Sequence, residues 1–241
     1  MPTPGDVYFL PPRAGEAVDP TKGRRPHLAL SAWEPESHVL TLAYGSTKST
    51  EAAAGAAFVL IDPRRAARAG LAAPTYFYPS RLVSVLPEDL SSPGGRVVRE
   101  LPAVRDALRT ALGLGCGVTA ESNVRGSNRR GRLVRFVEKM TELTGFGHAI
   151  VVTEPAYSRQ GRQQTLVPVF PEADFDMVDL DLVAPASSWT RHLRGRREPV
   201  IVSPSMIFTV FEPDWIERYT GIVDPITMNR LDEALRLHFG L

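Results

Sequence analysis

Apolar and polar residues alternate over short runs along most of this chain, and Pro and Gly break the runs apart. "GDVYFL" (5–10), "HLALS" (27–31), "VLTLAY" (39–44), "AAFVLID" (56–62) and "TYFYPSRLVSV" (75–85) are rich in β-branched and aromatic residues. Runs of this length, bounded by turn residues, predict strands. The period changes after position 100. Leu101, Val104, Leu108 and Leu112 recur at helical spacing, with Pro102 in the first turn and Gly113 near the end. A second helix is predicted at the C-terminus, where Asp224 is an N-cap followed by Pro225, and Leu231, Leu235 and Phe239 form the apolar stripe. "GRLVRFVEKMTELTG" (131–145) begins like the first strand. Its Leu133, Phe136, Val137, Met140 and Leu143 are nevertheless helically spaced, and we assign a helix from its start.

The pattern occurs twice. "DALRTALGL" (106–114) returns as "EALRLHFGL" (233–241), and "YPSRLVSVLPEDL" (78–90) has a counterpart in "SPSMIFTVFEPDWI" (203–216). "RPHLALSAWEP" from Arg25 matches "GHAIVVTEP" from Gly147, and "VLTLAYGST" (39–47) matches "TLVPVFPEA" (165–173). Four blocks in one order, with offsets between 122 and 127, imply a duplicated domain. A polar stretch rich in Gly, Ser and Asn separates the halves, so the expected domains are 1–117 and 130–241 with a basic linker at 118–129.

Composition narrows the class. The 241 residues are 43% hydrophobic and 23% charged, which suits a globular protein. The net charge of +1 means that any nucleic-acid site must be a local patch. One cysteine, Cys116, allows no internal disulfide. No apolar run reaches the roughly 20 residues of a membrane span, and the N-terminus has no charged-then-apolar leader. A soluble, cytoplasmic protein is expected.

The order "GDVYFL … GRRPHLALS … LTLAYGST … DPRRAARAGL … PTYFYPSRLVSV … DALRTALGL" resembles the PemK/MazF family of toxin ribonucleases. The likeness covers nearly all of Gly5 to Leu114 and, more loosely, Gly145 to Leu241. It implies a mainly β fold with α: two tandem SH3-like barrels, each with a closing helix, paired within one chain as a pseudo-dimer. It also implies cleavage of single-stranded RNA without a metal or other cofactor, and inhibition by a small acidic antitoxin. By this resemblance the catalytic positions are Arg25 and Ser46, with Thr47 adjacent. Arg24, Lys48, Tyr78, Ser80 and Arg81 are the neighbouring positions for RNA.

The chemistry is coherent with those residue types. RNA can be cut by its own 2′-OH, so a protein need only move protons and stabilise charge on the phosphoryl oxygens. The planar fork of Arg matches phosphate, whereas its high pKa makes it a poor general base, and the base stays unassigned. The second half departs from the pattern: Gly147-His148 replaces Arg25-Pro26, and Glu172 aligns with Ser46. We therefore expect a catalytically degraded second copy.

Other features are weaker. Asp174, Asp176, Asp179 and Asp181 lack the Gly and distal Glu of a calcium loop, and the five histidines show no zinc spacing. Arg24-Arg25 and the clusters at 64–68, 125–132 and 191–197 are candidate RNA contacts or simply solvated charges. Two other functions share these features: a degraded pair that binds RNA or antitoxin without cutting, and a gyrase-directed toxin.

Overall fold

The alternating runs do pair as strands. A computed structural model describes residues 1–11, 23–32, 39–49, 58–115, 130–153, 163–171, 181–184 and 199–241. The first half supplies β1 (Asp6–Leu10), β2 (Arg25–Ala29), β3 (Leu40–Ser46), β4 (Val59–Ile61), β5 (Thr75–Val85), β6 (Gly95–Arg96) and helix α1 (Leu101–Ala111). The second supplies β7 (Arg132–Phe136), α2 (Glu138–Thr144), β8 (His148–Val151), β9 (Gln163–Pro171), β10 (Leu182–Ala184), β11 (Val200–Val202), β12 (Phe208–Phe211), β13 (Ile216–Ile222) and α3 (Pro225–Phe239). The fold is mostly β, with two antiparallel sheets. The expected linker at 118–129 lies outside the described residues.

One expectation fails. Arg132–Phe136 is strand β7, and the helix starts only at Glu138. Helical spacing misled because Leu133 and Val134 are both buried, so the strand has apolar residues on both faces and little alternation. The two predicted helices form where expected. In α3 the Asp224 carboxylate accepts from the backbone N–H groups of Ile226 and Thr227, each at 3.0 Å.

The two sheets follow the same path. Their orders are β4-β5-β3-β2-β1-β6 and β10-β11-β9-β8-β7-β13. Strand β5 is bulged: the residue that pairs with β3 jumps from Leu82 to Tyr78 between Ala43 and Tyr44 of β3. In the second sheet this strand is divided into β11 and β12, both of which pair with β9. The backbone bonds match singly. Gly5 N–H donates to Ala29 C=O (2.9 Å), as Gly131 N–H does to Val151 C=O (2.8 Å). Leu30 donates to Thr41 and Val152 to Thr165, both at 2.9 Å. Both Gly5 and Gly131 have positive φ, at 97° and 77°, where a side chain would be strained.

One face of each sheet joins a shared core. Val7, Leu28, Ala43, Phe77 and Leu82 belong to the same buried cluster as Leu133, Ile150, Val167, Ile207 and Phe239. Polar groups cross this contact reciprocally. Thr41 Oγ1 donates to Ser205 C=O (3.5 Å), and Thr165 Oγ1 donates to Ser80 C=O (3.2 Å). Ser84, paired with Thr41, donates to Ser205 (3.4 Å) and Ile207 (2.6 Å). Thr209, paired with Thr165, donates to Ser80 (3.2 Å) and accepts from Leu82 N–H (2.8 Å). The bulge after Tyr78 is what frees the Ser80 carbonyl from the ladder.

His238 of α3 reaches the same contact, with Nε2 2.9 Å from Thr41 Oγ1. Burial pushes its pKa from 6.5 down to about 4. The folded state therefore holds it neutral while the unfolded chain takes up a proton below pH 6.5. Its contribution to stability is complete above that value and is lost as pH falls toward 4. Urea unfolding should show a loss of stability from pH 7 to pH 5 that His238→Gln reduces, because Gln keeps a hydrogen bond but does not titrate. Separately, Asp224→Ala should cost about 1 kcal/mol in the same assay by removing the cap of α3.

Candidate functional site

Strand register, more than any single motif, assembles the candidate residues. Directly opposed residues of antiparallel strands point to the same face. On β1 and β2, Leu10 opposes Arg25 and Tyr8 opposes His27. His27 in turn opposes Tyr44 of β3, and the same register continued by two residues sets Arg25 opposite Ser46. Tyr44 opposes Tyr78 and Ser46 opposes Tyr76 on β5, while Leu60 of β4 opposes Tyr76. Two cross-strand rows result on the face away from the shared core. One is Leu10–Arg25–Ser46–Tyr76–Leu60, and the other is Tyr8–His27–Tyr44–Tyr78.

Gly45 keeps the strands close enough for this. A Cβ there would sit 2.8 Å from the Pro26 carbonyl oxygen and 2.7 Å from the Phe77 ring. No side chain fits without moving β2 from β3.

The polar groups are held individually. Arg25 is half-buried, and its Nε is buried with no hydrogen-bond partner. Its carbonyl lies 3.0 Å from Nδ1 of buried His27, whose ring meets Tyr44 edge-on at 5.7 Å. Ser46 is buried, and its Oγ accepts the Lys48 N–H at 3.1 Å in a short turn that fixes the hydroxyl at the strand end. Thr47 and Lys48 are exposed, as is Arg24. Arg81 lies over the Tyr44 ring, 4.0 Å from its centroid. In the second row, burial and the nearby Asp6 carboxylate push the Tyr8 phenol up to about 12. It stays protonated and cannot be a general base at neutral pH.

Two positions assigned to RNA are buried instead. Tyr78 is 0% exposed, and its hydroxyl donates to the Lys48 carbonyl at 2.9 Å. It supports the loop from below and has no free ring face. Ser80 is also buried, and its carbonyl accepts from the second sheet. Sequence reading passed over His27 and Tyr44. Alternation alone could have found them, two residues from Arg25 and two from Ser46 on the same face.

Among the described residues, the matching rows of the second sheet are apolar, with Val134, Ala149, Pro168 and Phe170 on that face. Thr165 makes the backbone bond that Thr41 makes, so five residues further the place of Ser46 is taken by Phe170, not Glu172. Glu172 itself lies outside the described residues, as do Asp174, Asp176 and Asp179. Phe170 meets Phe146 at 5.2 Å, and Phe136, Phe208 and Trp215 complete an aromatic cluster there. His148 falls on the opposite face, because Ala149 and Val151 are the residues in that cluster.

The basic clusters divide. Arg65 is engaged by Glu100 and Asp62, and Arg130 binds Asp232 and the Leu112 carbonyl. Arg64 and Arg68 are exposed, and 191–197 lies outside the described residues. Among the described residues, no three His, Cys, Asp or Glu side chains gather as a metal site. No described helix is long and apolar enough to cross a membrane.

No protein-family model matches this chain, and no curated protein does. Among solved structures, "Endoribonuclease from Mycobacterial species" is similar over 49% of this chain and 97% of its own, at 18% identity and a TM-score of 0.36. "Endoribonuclease in complex with its cognate antitoxin from Mycobacterial species" matches over 48% and 97%, at 20% identity and 0.36. "Mycobacterium tuberculosis toxin MazF-mt6" matches over 46% and 98%, at 16% identity and 0.35, so each is spanned by about half of this chain.

Proposed function

We propose that this chain is a toxin-type endoribonuclease that cleaves single-stranded RNA through attack of the substrate's own 2′-OH. The observation that carries the reading is the row on the first sheet in which Arg25 and Ser46 face the same way on adjacent strands. A cation with an unused buried N–H beside a fixed hydroxyl suits a phosphate and its two non-bridging oxygens. In the reaction the 2′-OH gives up its proton to the unassigned base as its oxygen bonds to phosphorus, the bond to the 5′-oxygen breaks, and the departing oxygen takes up a proton. Arg25 stabilises the charge that accumulates on phosphorus-bound oxygens, and Ser46 donates a further hydrogen bond. Arg24, Lys48 and Arg81 supply positive charge along the strand's path.

There is one active face per chain on this reading. The halves, 1–117 and 130–241, are two copies of one SH3-like barrel joined by 118–129 and paired as a pseudo-dimer. The shared strand order and the reciprocal bonds from Thr41 and Thr165 support this. The second copy gave up its polar row for the packing around Phe170 and completes the groove without chemistry. An acidic antitoxin tail would compete with RNA for Arg25 and the neighbouring cations.

Arg25→Ala should lower the cleavage rate about 10²–10³-fold, as loss of a preorganised oxyanion donor does. Arg25→Lys should restore little, since an ammonium lacks the fork. Ser46→Ala should damage cleavage more than Thr47→Ala, and His148→Ala should leave the chemical step intact. Products should carry a 2′,3′-cyclic phosphate and a 5′-OH, formed equally in EDTA. An Arg25→Ala protein that cuts at the wild-type rate refutes the assignment. Sedimentation should give a monomer, because the halves satisfy one another.

A further inference from the structure

The two rows continue past the proposed phosphate site toward the sheet edge, and what lies there is aromatic and partly open. Tyr76 opposes Ser46, and Leu60 of edge strand β4 opposes Tyr76. Phe58, just before β4, is 41% exposed, as is Leu60. The Phe58 ring meets Tyr76 edge-on at 5.3 Å, and Tyr76 stacks on buried Tyr78 at 6.4 Å with 16° between planes. Tyr78 is tied to the Lys48 carbonyl, so the stack has a fixed base.

This placement is costly without a ligand. Two large apolar side chains stay in water at the end of a sheet whose other apolar residues are mostly covered. The exposed Lys48 follows the end of β3, its carbonyl held by Tyr78 beneath the stack, and Arg25 shares the row. Aromatic faces bordered by cations suit a ligand with a flat π-surface and a negative backbone, which is the chemistry of an unstacked nucleobase in single-stranded nucleic acid. An apolar peptide side chain would use the rings but not the cations.

We infer that Phe58 and Tyr76 form a shelf on which the base next to the scissile phosphate stacks, a subsite separate from the Arg25–Ser46 pair. The inference rests on the endoribonuclease reading for the position of the phosphate. The shelf holds the nucleotide whose 2′-oxygen or departing oxygen must lie in line, and it selects for flexible, unpaired RNA. Stacking tolerates any base, so the shelf contributes affinity and strandedness more than sequence.

The test uses the full chain and an RNA oligonucleotide made uncleavable by one 2′-deoxy sugar at the cut site. 2-Aminopurine replaces the neighbouring base, and a second oligonucleotide is abasic there. Wild-type protein should quench the 2-aminopurine and bind the abasic RNA about 10-fold more weakly, in line with the usual worth of one stacked base. Tyr76→Leu and Phe58→Leu should lose the quenching and bind both RNAs alike, whereas Tyr76→Phe should behave as wild type. Phe58 is exposed enough that its Leu variant keeps the fold, which matching urea midpoints would verify. Equal quenching in wild type and both Leu variants overturns the shelf. So does a loss of antitoxin binding in the Leu variants with RNA binding unchanged, which would make the patch a protein contact. Arg25→Ala separates the readings. If it abolishes cleavage while the shelf variants bind normally, the shelf alone is wrong; if it cuts at full rate, the nuclease reading fails first.

Discussion

The hydroxyls of Thr41 and Thr165 govern how this molecule can be assembled. Both are fully buried; Thr165 donates to the Ser80 carbonyl of β5, and Thr41 meets His238 Nε2 and the Ser205 carbonyl in the turn between β11 and β12. A hydrogen bond of this kind contributes about 0.5–1.5 kcal/mol net, but a buried hydroxyl left without a partner costs about 1–3 kcal/mol. Neither sheet can therefore pack against a generic apolar surface. Thr165 requires a carbonyl at its place, which the bulge that exposes Ser80 provides, and Thr41 requires the Ser205 carbonyl and the His238 ring. The apolar cluster around Leu82 and Ile207 adds most of the attraction, while the hydroxyls dictate the fit.

The opposite faces of the two sheets are released from that constraint, and there the halves differ. The first keeps Arg25, His27, Tyr44 and Ser46 in line, with Leu40 and Leu42 as a small apolar floor. The second fills the equivalent surface with Phe136, Phe146, Phe170 and Phe208 and lays Met140 of α2 against them. One face thus carries a polar row and the other dense aromatic packing. A guanidinium within the second cluster would be desolvated without a partner.

Much of this was legible from residue order. Strands β2, β3 and β5, helix α1 and the capped helix α3 all follow from period and turn residues. Arg25 and Ser46 come from the motif, and the register of β2 on β3 sets them in one row. The failures have definite causes. β7 is buried on both faces, which erases the alternation that marks a strand. The Glu172 alignment was displaced by two residues, a shift that leaves the in-out pattern unchanged, so only the bonds of Thr41 and Thr165 reveal Phe170. Tyr76 and Tyr78 have the same parity, and no pattern within one strand tells which is covered by the chain. That depends on Lys48, thirty residues away in sequence.

The aromatic cluster of the second sheet also gives the molecule an optical asymmetry. Trp215 meets Phe136 edge-on at 5.9 Å and Phe208 at the same distance, and of the three tryptophans it alone lies among the described residues. With Trp33 and Trp189 replaced by Phe, the remaining indole would emit only from that cluster. Its wavelength would follow the loosening of the second sheet, while events at Arg25 would reach it through the shared core and the seam of hydroxyls. The protein thus contains a lamp in its second half, and any change in its colour on adding RNA would measure how firmly one sheet feels the other.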